Sequence, residues 1–122
     1  MDKDYILVID DSETNNLLLQ ATLESEGFQI ETAVSAHKGW TMIYDKKPAL
    51  ILLDLLMPKV SGFQLLSKLK QHDKFKDIPV VIVSAVNDPE TIKSLLGKGA
   101  VDFFTKPIDI SKIVTRVKEI LA

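Results

Sequence analysis

Cysteine is absent from the 122-residue sequence. Disulfide bonds, thiolate metal sites and catalysis by a thiol are therefore excluded. No apolar run approaches the ~20 residues that a helix needs to cross a bilayer. The amino-terminal segment has neither the basic nor the long apolar region of a signal peptide. These absences predict a soluble protein without a membrane partner, and the lack of cysteine agrees with a cytoplasmic location.

Charge of one sign is not in excess, and histidine is scarce. The formal net charge is -2, with 15 basic and 17 acidic residues, so nothing favours non-specific binding to nucleic acid. The densest basic segment, residues 68–76, contains Asp73 and is followed by Asp77, which is typical of a solvated helix end. The two histidines, His37 and His72, lack the spacing of metal ligands and are expected at the surface.

Short apolar runs alternate with segments of helical periodicity along the chain. The runs occupy residues 5–9, 28–34, 49–53, 79–83 and 101–104. In the last helical segment Ile113, Val117 and Leu121 recur at four-residue intervals, the spacing of one buried helical face. Strands that alternate with helices predict a single α/β domain over residues 1–122, a doubly wound (βα)5 fold whose parallel sheet is covered on both faces.

Capping residues mark the ends of the predicted helices. The predicted N-caps are Ser12, Ser35 and Asp109, because their side-chain oxygens can accept from the first free backbone amides. Pro89 suits a first helical turn. Residues 27 and 99 are glycines placed where helices are expected to end.

The composition of the strands indicates their order in the sheet. The first, third and fourth runs are continuously apolar, as expected for central strands buried on both faces. In the second run apolar residues alternate with Gln29 and Glu31, the pattern of a half-exposed edge strand. An edge position for the second strand agrees with the order 2-1-3-4-5 of the flavodoxin-like class, from which we take the topology.

Polar and charged residues stand at the ends of four predicted strands. The first strand ends in Asp10 and Asp11, the third in Asp54, the fourth in Ser84, and the fifth runs into Lys106. In an open parallel sheet of this order, ligands bind beyond the carboxyl ends of the strands, where the order reverses between strands one and three. We therefore expect these side chains to share one crevice.

The chemistry of these five side chains is that of phosphoryl transfer to a carboxylate. Three carboxylates in one crevice repel one another unless a cation compensates, and Mg²⁺ binds carboxylate, water and phosphate oxygens. A lysine adds a second positive charge, and a serine hydroxyl adds a hydrogen-bond donor. Each residue alone has an ordinary alternative as a helix cap or a solvated side chain, so the prediction depends on all of them falling at one end of the sheet.

Four motifs resemble the response-regulator receiver domains of two-component signalling. They are VIDDS, LLDLLMPKVSG, IVSA and DFFTKPID, and the resemblance extends over residues 5–121. It implies that Asp54 is the phospho-acceptor. It also implies a Mg²⁺ site in which Asp11 is a direct ligand and Asp10 acts mainly through water. Asp54 and the backbone carbonyl of Leu56 complete the protein ligands of this implied site.

The same resemblance assigns roles to residues near the acceptor. Ser84 is expected to donate its hydroxyl to the phosphoryl oxygens. Lys106 is expected to pair with Asp54 and then with the phosphoryl group, and its bond to Pro107 is expected to be cis. Phe103 matches the switching aromatic residue of the family.

Two further expectations concern the segments around the site. Phe104 should point to the opposite face of its strand from Phe103 and belong to the core. The dipeptide Met57-Pro58 and Gly62 are expected to shape the loop that follows the acceptor, with Gly62 opening the third helix.

The resemblance implies a phosphorylated signalling switch that is not an enzyme for other substrates. The expected phosphoryl donor is a phosphohistidine on a sensor histidine kinase or a histidine phosphotransfer protein. The domain would catalyse its own phosphorylation and later dephosphorylation. Phosphorylation would change the surface of the fourth helix, fifth strand and fifth helix, through which similar domains form homodimers. No output domain is recognised in residues 1–122.

Two positions depart from the usual pattern of the family. The second residue after the acceptor is Leu56, and the second residue after Ser84 is Val86. Family members often have polar or charged side chains at these positions, where they orient the water that attacks the acyl phosphate. Neither leucine nor valine can donate to or accept from a water, so slow self-dephosphorylation is expected.

Three other functions are compatible with parts of this pattern. A haloacid-dehalogenase-like phosphatase needs a second aspartate at the position of Leu56, and 122 residues is short for that fold. A flavodoxin-like FMN carrier needs a neutral or basic phosphate loop, whereas DDSETNN is acidic. A receiver-like scaffold that is never phosphorylated normally lacks site residues, and none is missing here. It is kept as the alternative.

Overall fold

A computed structural model describes residues 4–57 and 61–122, and it contains five strands and five helices in alternation. In chain order these are β1 Ile6–Ile9, α1 Glu13–Ser25, β2 Ile30–Ala33, α2 Ala36–Asp45, β3 Leu50–Leu53, α3 Gly62–Lys70, β4 Val80–Ser84, α4 Pro89–Gly97, β5 Asp102–Thr105 and α5 Ile110–Leu121. None of the helices in the described ranges is long and apolar enough to cross a membrane.

The strands form one parallel sheet in the order β2-β1-β3-β4-β5. β1 pairs with β2 on one side and with β3 on the other, so that Ile9 lies beside both Ala33 and Leu53. The switch point of the sheet is therefore between β1 and β3, and the predicted fold class and strand order are confirmed.

Burial of the strands follows the predicted division into centre and edge. Every residue of β1, β3 and β4 is buried. Glu31 is exposed in β2, and the four residues of β5 are half-buried or exposed. The two edge strands are thus the polar ones, as expected when only one neighbour shields each of them.

Local capping sets the helix ends where the sequence predicts them. The side chains of Ser12, Ser35 and Asp109 each accept from a backbone amide three residues ahead. Gly27 and Gly99 have positive φ angles of 96° and 112°, just after α1 and α4. Only glycine adopts this region without strain, so both positions terminate their helices as predicted.

The core has one layer on each face of the sheet. On one face α2, α3 and α4 pack through residues such as Ile43, Leu66 and Leu95. On the other face α1 and α5 pack through residues such as Leu23 and Val117. The neighbours Phe103 and Phe104 of β5 contact opposite layers, which confirms their predicted division between the two faces.

Two side chains expected at the surface, those of His72 and Lys70, are partly buried by contacts around α3. His72 is half-buried rather than fully exposed: its ring stacks on Phe75 at 4.4 Å, and its Nε2 lies 2.9 Å from the hydroxyl of Tyr44. Within the basic segment, Lys70 Nζ donates to the carbonyls of Lys76 and Ile78 at 3.0 and 2.8 Å. The contact with Tyr44 spans 28 residues, whereas the other contacts join residues three to eight positions apart.

Candidate functional site

Backbone hydrogen bonds continue past the strands and bring the predicted side chains to one edge of the sheet. The Asp54 amide, one residue beyond β3, donates to the Ile9 carbonyl at 2.9 Å. The Lys106 amide, one residue beyond β5, donates to the Ser84 carbonyl at 2.8 Å. Together with the pairing of β3 and β4, these bonds place the ends of the four strands side by side, and the side chains of Asp10, Asp54 and Lys106 meet there in one crevice.

Gly62 lies against the backbone of Asp54 and Leu55. A Cβ atom at this position would stand 2.2 Å from the Asp54 carbonyl oxygen and 2.8 Å from the Leu55 Cα. The Gly62 amide donates to the Leu55 carbonyl at 3.0 Å, and α3 begins at Gly62 as predicted. The start of α3 can therefore approach the end of β3 only because this residue has no side chain.

Three carboxylates converge in the crevice. Asp10 and Asp54 are 3% and 5% exposed, whereas Asp11 is open to solvent. One carboxylate oxygen from each lies within 4.8 Å of the other two. The acidic cluster predicted from the strand ends is thus present, with two members buried and one at the rim.

Lys106 bridges the two buried carboxylates. Its Nζ lies 2.8 Å from Asp10 Oδ2 and 3.4 Å from Asp54 Oδ2. The sequence led us to expect pairing with Asp54, and the shorter contact is in fact the one to Asp10. One ammonium between two carboxylates leaves one net negative charge in this buried group, before the exposed Asp11 is counted.

The surroundings of Asp54 and Lys106 shift their pKa values. Burial raises the pKa of Asp54 above its usual value, the nearby Asp10 charge raises it further, and Lys106 acts in the opposite direction. Burial alone would lower the pKa of Lys106, but hydrogen bonding and attraction to Asp10 and Asp54 hold it above its usual value. A second cation in the crevice would favour the ionised, nucleophilic form of Asp54.

Two backbone amides donate to side chains of the site, one to Asp54 and one to Ser84. The Leu56 amide donates to Asp54 Oδ1 at 3.3 Å, and the Val86 amide donates to Ser84 Oγ at 3.4 Å. The side chain of Leu56 is 54% exposed, whereas that of Val86 is half-buried and packs against the core together with Phe103. Leu56 and Val86, the two positions predicted to control hydrolysis, thus place apolar side chains two residues after Asp54 and Ser84 in the sequence.

The donor set fits a hard divalent cation. All three converging ligands are carboxylates, and those of Asp10 and Asp54 are held in place by neighbours. Asp10 Oδ1 accepts from the Ser12 amide at 2.9 Å, and Asp54 Oδ1 accepts from the Leu56 amide. Carboxylates that leave room for water and phosphate oxygens are what Mg²⁺ prefers. Asp10, Asp11 and Asp54 would hold the ion.

Two remaining expectations have different outcomes. The bond between Lys106 and Pro107 is cis, as the resemblance led us to expect. Pro58, expected to shape the loop after the acceptor, lies outside the described residues.

Sequence reasoning missed Asn16. It is buried in α1 and its Nδ2 donates to the Asp10 carbonyl at 2.9 Å. The signal was available, because Asn16 stands three residues before Leu19 and seven before Leu23, on the buried face of the helix. A polar residue on an apolar helical face requires partners, and the nearest candidates are at the end of β1.

The family of the chain follows from comparison with known proteins. A family model described as "Response regulator receiver domain" matches residues 6–118. The chain therefore belongs to the response regulator receiver domain family of two-component systems, which comprises signalling domains rather than classical enzymes. Such domains interact with histidine kinases or phosphotransfer proteins.

Individual relatives are similar over nearly the whole chain. The DNA-binding dual master transcriptional regulator RpaA of Synechocystis is 34% identical over 116 residues, which cover 95% of this chain and 48% of RpaA. The two-component response regulator ORR11 of Oryza sativa is 36% identical over 118 residues, 93% of this chain and 80% of ORR11. This chain thus spans about half the length of one relative and most of the other.

A solved structure shares the same fold. The signal receiver domain of a signal transduction histidine kinase from Syntrophus aciditrophicus superposes with a TM-score of 0.88 at 32% identity. The superposition covers 98% of this chain and 90% of that one.

Proposed function

We propose that residues 1–122 form one phospho-acceptor switch, in which Asp54 receives a phosphoryl group from a phosphohistidine donor with Mg²⁺ bound beside it. The observation that supports this best is that the half-buried Lys106 pairs with the buried carboxylates of Asp10 and Asp54 at the switch point of the sheet. A buried carboxylate next to an ammonium and further carboxylates has the parts that acyl phosphate formation needs.

Each side chain has a defined task in the proposed transfer. An Asp54 carboxylate oxygen attacks phosphorus while the bond from phosphorus to the donor's imidazole nitrogen breaks, and an acyl phosphate forms. Lys106 exchanges its contact with Asp54 for one with the phosphoryl oxygens. Ser84 donates its hydroxyl to another of these oxygens. Bound Mg²⁺ would neutralise charge on the phosphoryl oxygens, and the Leu56 carbonyl would complete its protein ligands.

The proposed acyl phosphate is long-lived. Hydrolysis requires a water aligned behind phosphorus, and a polar side chain near Asp54 is the usual means of holding it. Leu56 and Val86 offer no donor or acceptor beyond their backbone groups. The domain is therefore a slow switch or a phosphoryl store rather than a rapidly resetting one.

The proposed output surface consists of α4, β5 and α5. Phe103 and Val86 pack against the same core layer, and Val86 is two residues after Ser84. Movement of Ser84 toward a phosphoryl group would free space into which Phe103 turns, and this would alter the surface for a homodimer or another partner. Such coupling requires that the phosphoryl group bind the two conformations with different affinity.

Intact-mass analysis tests the central proposal. Incubation with acetyl phosphate and MgCl₂ is expected to add one phosphoryl group to the wild type and none to Asp54→Ala. Asp73→Ala is the matched control, because Asp73 is a fully exposed aspartate and its loss should leave the adduct intact. Addition of chelator before acetyl phosphate should prevent the reaction.

Failure of the wild type to react with acetyl phosphate and with phosphohistidine donors would favour the alternative, a receiver-like scaffold that binds its partners without phosphorylation. An adduct that persists in Asp54→Ala would place the modification elsewhere and contradict the assignment of the acceptor.

The lifetime of the adduct tests the role of the two apolar positions. After removal of the donor, Leu56→Asn combined with Val86→Glu is expected to lose the phosphoryl group faster than the wild type, because both new side chains can hold a water. Leu96→Asn is a suitable control, since Leu96 is an exposed leucine of α4. An unchanged lifetime in the double variant would refute slow hydrolysis by this cause.

A further inference from the structure

Asn16 is a buried polar residue of α1 that the proposed chemistry does not use. It is 4% exposed and shares the inner face of the helix with Leu19 and Leu23. Its Nδ2 donates to the Asp10 carbonyl at 2.9 Å and to the Ala33 carbonyl at 3.4 Å. Both partners are residues at the carboxyl ends of strands, one in the centre of the sheet and one at its edge.

The other polar atom of the side chain has no hydrogen-bond partner. Asn16 Oδ1 is buried without a donor within the described part of the chain. The amide cannot turn around to improve this, because both of its partners are carbonyls and require the NH₂ group. A buried acceptor without a donor is unfavourable, so core packing alone would favour an apolar residue here.

Three hydrogen bonds fix the position of Asp10. Asn16 donates to the Asp10 carbonyl, the Ser12 amide donates to Asp10 Oδ1 at 2.9 Å, and Lys106 donates to Asp10 Oδ2 at 2.8 Å. The Asp10 amide donates to the same Ala33 carbonyl at 3.1 Å. Asn16 thus ties the turn between β1 and α1 to the end of β2, and that turn presents Asp10 and Asp11 to the crevice.

We propose that Asn16 is a positioning residue for the metal-binding aspartates: it holds the backbone of Asp10 so that the carboxylates of Asp10 and Asp11 converge with that of Asp54. This inference rests on the proposed function, because it concerns the same Mg²⁺ site. Asn16 touches neither the ion nor the phosphoryl group and acts only through the turn.

Direct Mg²⁺ binding to the unphosphorylated protein tests the inference. A titration with MgCl₂ can be followed through the backbone amide signals of Asp11 and Ser12 in nitrogen-15 correlation spectra. Asn16→Leu keeps the size and burial of the side chain but removes its donors. We expect about tenfold weaker Mg²⁺ binding, the lower end of the range for residues that orient metal ligands. Asn15→Leu, one position away and not directed at Asp10, should bind Mg²⁺ as the wild type does.

A structural control separates positioning from general destabilisation. Leu23→Ala makes a cavity under the same helix without touching Asp10, so it should lower the thermal unfolding midpoint and leave Mg²⁺ affinity unchanged. Asn16→Leu should show the opposite pattern, with weaker Mg²⁺ binding and little change in the thermal unfolding midpoint. If Asn16→Leu does not fold, Asn16→Ser, which retains a hydroxyl donor, should bind Mg²⁺ with an affinity between those of Asn16→Ala and the wild type.

The rate of phosphorylation by acetyl phosphate gives a second readout. Asn16→Leu should need a higher Mg²⁺ concentration for half-maximal rate and approach the wild-type rate at saturation. Equal Mg²⁺ affinity of Asn16→Leu and wild type would overturn the inference and leave the proposed function intact. A wild type that binds no Mg²⁺ would overturn both.

Discussion

At the residue scale, Tyr5 illustrates how burial changes the chemistry of a single group. Its hydroxyl donates to the Lys46 carbonyl at 2.5 Å and contacts the Met42 carbonyl at 3.4 Å. Burial, followed by the nearby charges of Glu31 and Asp45, raises the pKa of Tyr5 from 10.0 to about 12. The fold therefore favours the neutral phenol that these carbonyls require.

A raised pKa in the folded state has a defined effect on stability at alkaline pH. The contribution of Tyr5 is fully present below its unfolded pKa of 10.0 and is lost as the pH rises through about 12. We expect Tyr5→Phe to lose less stability than the wild type over this interval, as measured by urea unfolding at several pH values. At neutral pH the same variant should be less stable by about 1 kcal/mol, the net value of one hydrogen bond.

Tyr44→Phe is the matched control for this prediction. Tyr44 is 52% exposed, so Tyr44→Phe measures, under the same conditions, the effect of removing a tyrosine hydroxyl at the surface. If Tyr5→Phe and the wild type lose equal stability as the pH rises from 10.0 to about 12, the loss of stability at alkaline pH has a cause other than Tyr5.

The residues of the crevice were predicted from sequence, whereas Asn16, which supports them, was missed. Asp10, Asp54 and Lys106 follow apolar strands, and the parallel sheet brings such positions together whatever their neighbours are. The position of Asn16 on the buried face of α1 indicates that its side chain needs polar partners, but which carbonyls it contacts depends on how α1 lies on the sheet. The bond to the Ala33 carbonyl joins residues 17 positions apart, a proximity that no local pattern reveals.

At the scale of elements, the junction of β3 and α3 is the most tightly constrained. We expect Gly62→Ala to be destabilised by about 1–3 kcal/mol, because a Cβ atom would overlap backbone atoms that cannot move independently of Asp54. The same displacement should slow phosphorylation of Asp54. Denaturant unfolding and intact mass after acetyl phosphate treatment measure the two effects.

Gly97→Ala provides the comparison. A Cβ atom at Gly97 meets nothing within 4 Å, and Gly97 is the last residue of α4. This variant should be more stable by about 0.5 kcal/mol through the reduced freedom of the unfolded chain, with an unchanged phosphorylation rate. Equal losses in the two glycine variants would show that the contact with Asp54 is not the cause.

The elements themselves were predictable where their ends depend on local chemistry. Ser12 and Ser35 cap their helices through their own side chains, and Gly27 ends α1 through its own backbone. Strand ends depend on partners instead. The second apolar run begins at Phe28, but β2 begins at Ile30, where pairing with Ile6 starts. Pairing partners are not encoded in the run itself.

At the scale of the whole molecule, the excess of carboxylate charge couples stability to Mg²⁺. We expect Mg²⁺ to raise the free energy of unfolding of the wild type by about 1.4 kcal/mol at ten times its dissociation constant. Asp54→Asn should be more stable than the wild type without Mg²⁺, because Lys106 then faces one buried carboxylate instead of two. Thermal unfolding with and without MgCl₂ measures both effects.

Asp73→Asn removes an exposed negative charge far from the crevice in sequence, and it should respond to Mg²⁺ as the wild type does. A variant Asp54→Asn that gains as much stability from Mg²⁺ as the wild type would show that the ion binds without this carboxylate.

The ion pairs of Lys106 with Asp10 and Asp54 also affect the rate at which the domain unfolds. Lys106 and Asp10 are separated by 96 residues in sequence, and their strands are joined only through β3 and β4. Their ion pair can close only after most of the sheet has assembled, so it should be absent from the folding transition state. Contacts of this kind slow unfolding and leave the folding rate unchanged. Lys106→Met should therefore unfold faster in urea by about tenfold or more, while its refolding rate stays that of the wild type. Lys106, to which the proposed function assigns a role in phosphoryl transfer, would then also determine how long the folded domain persists.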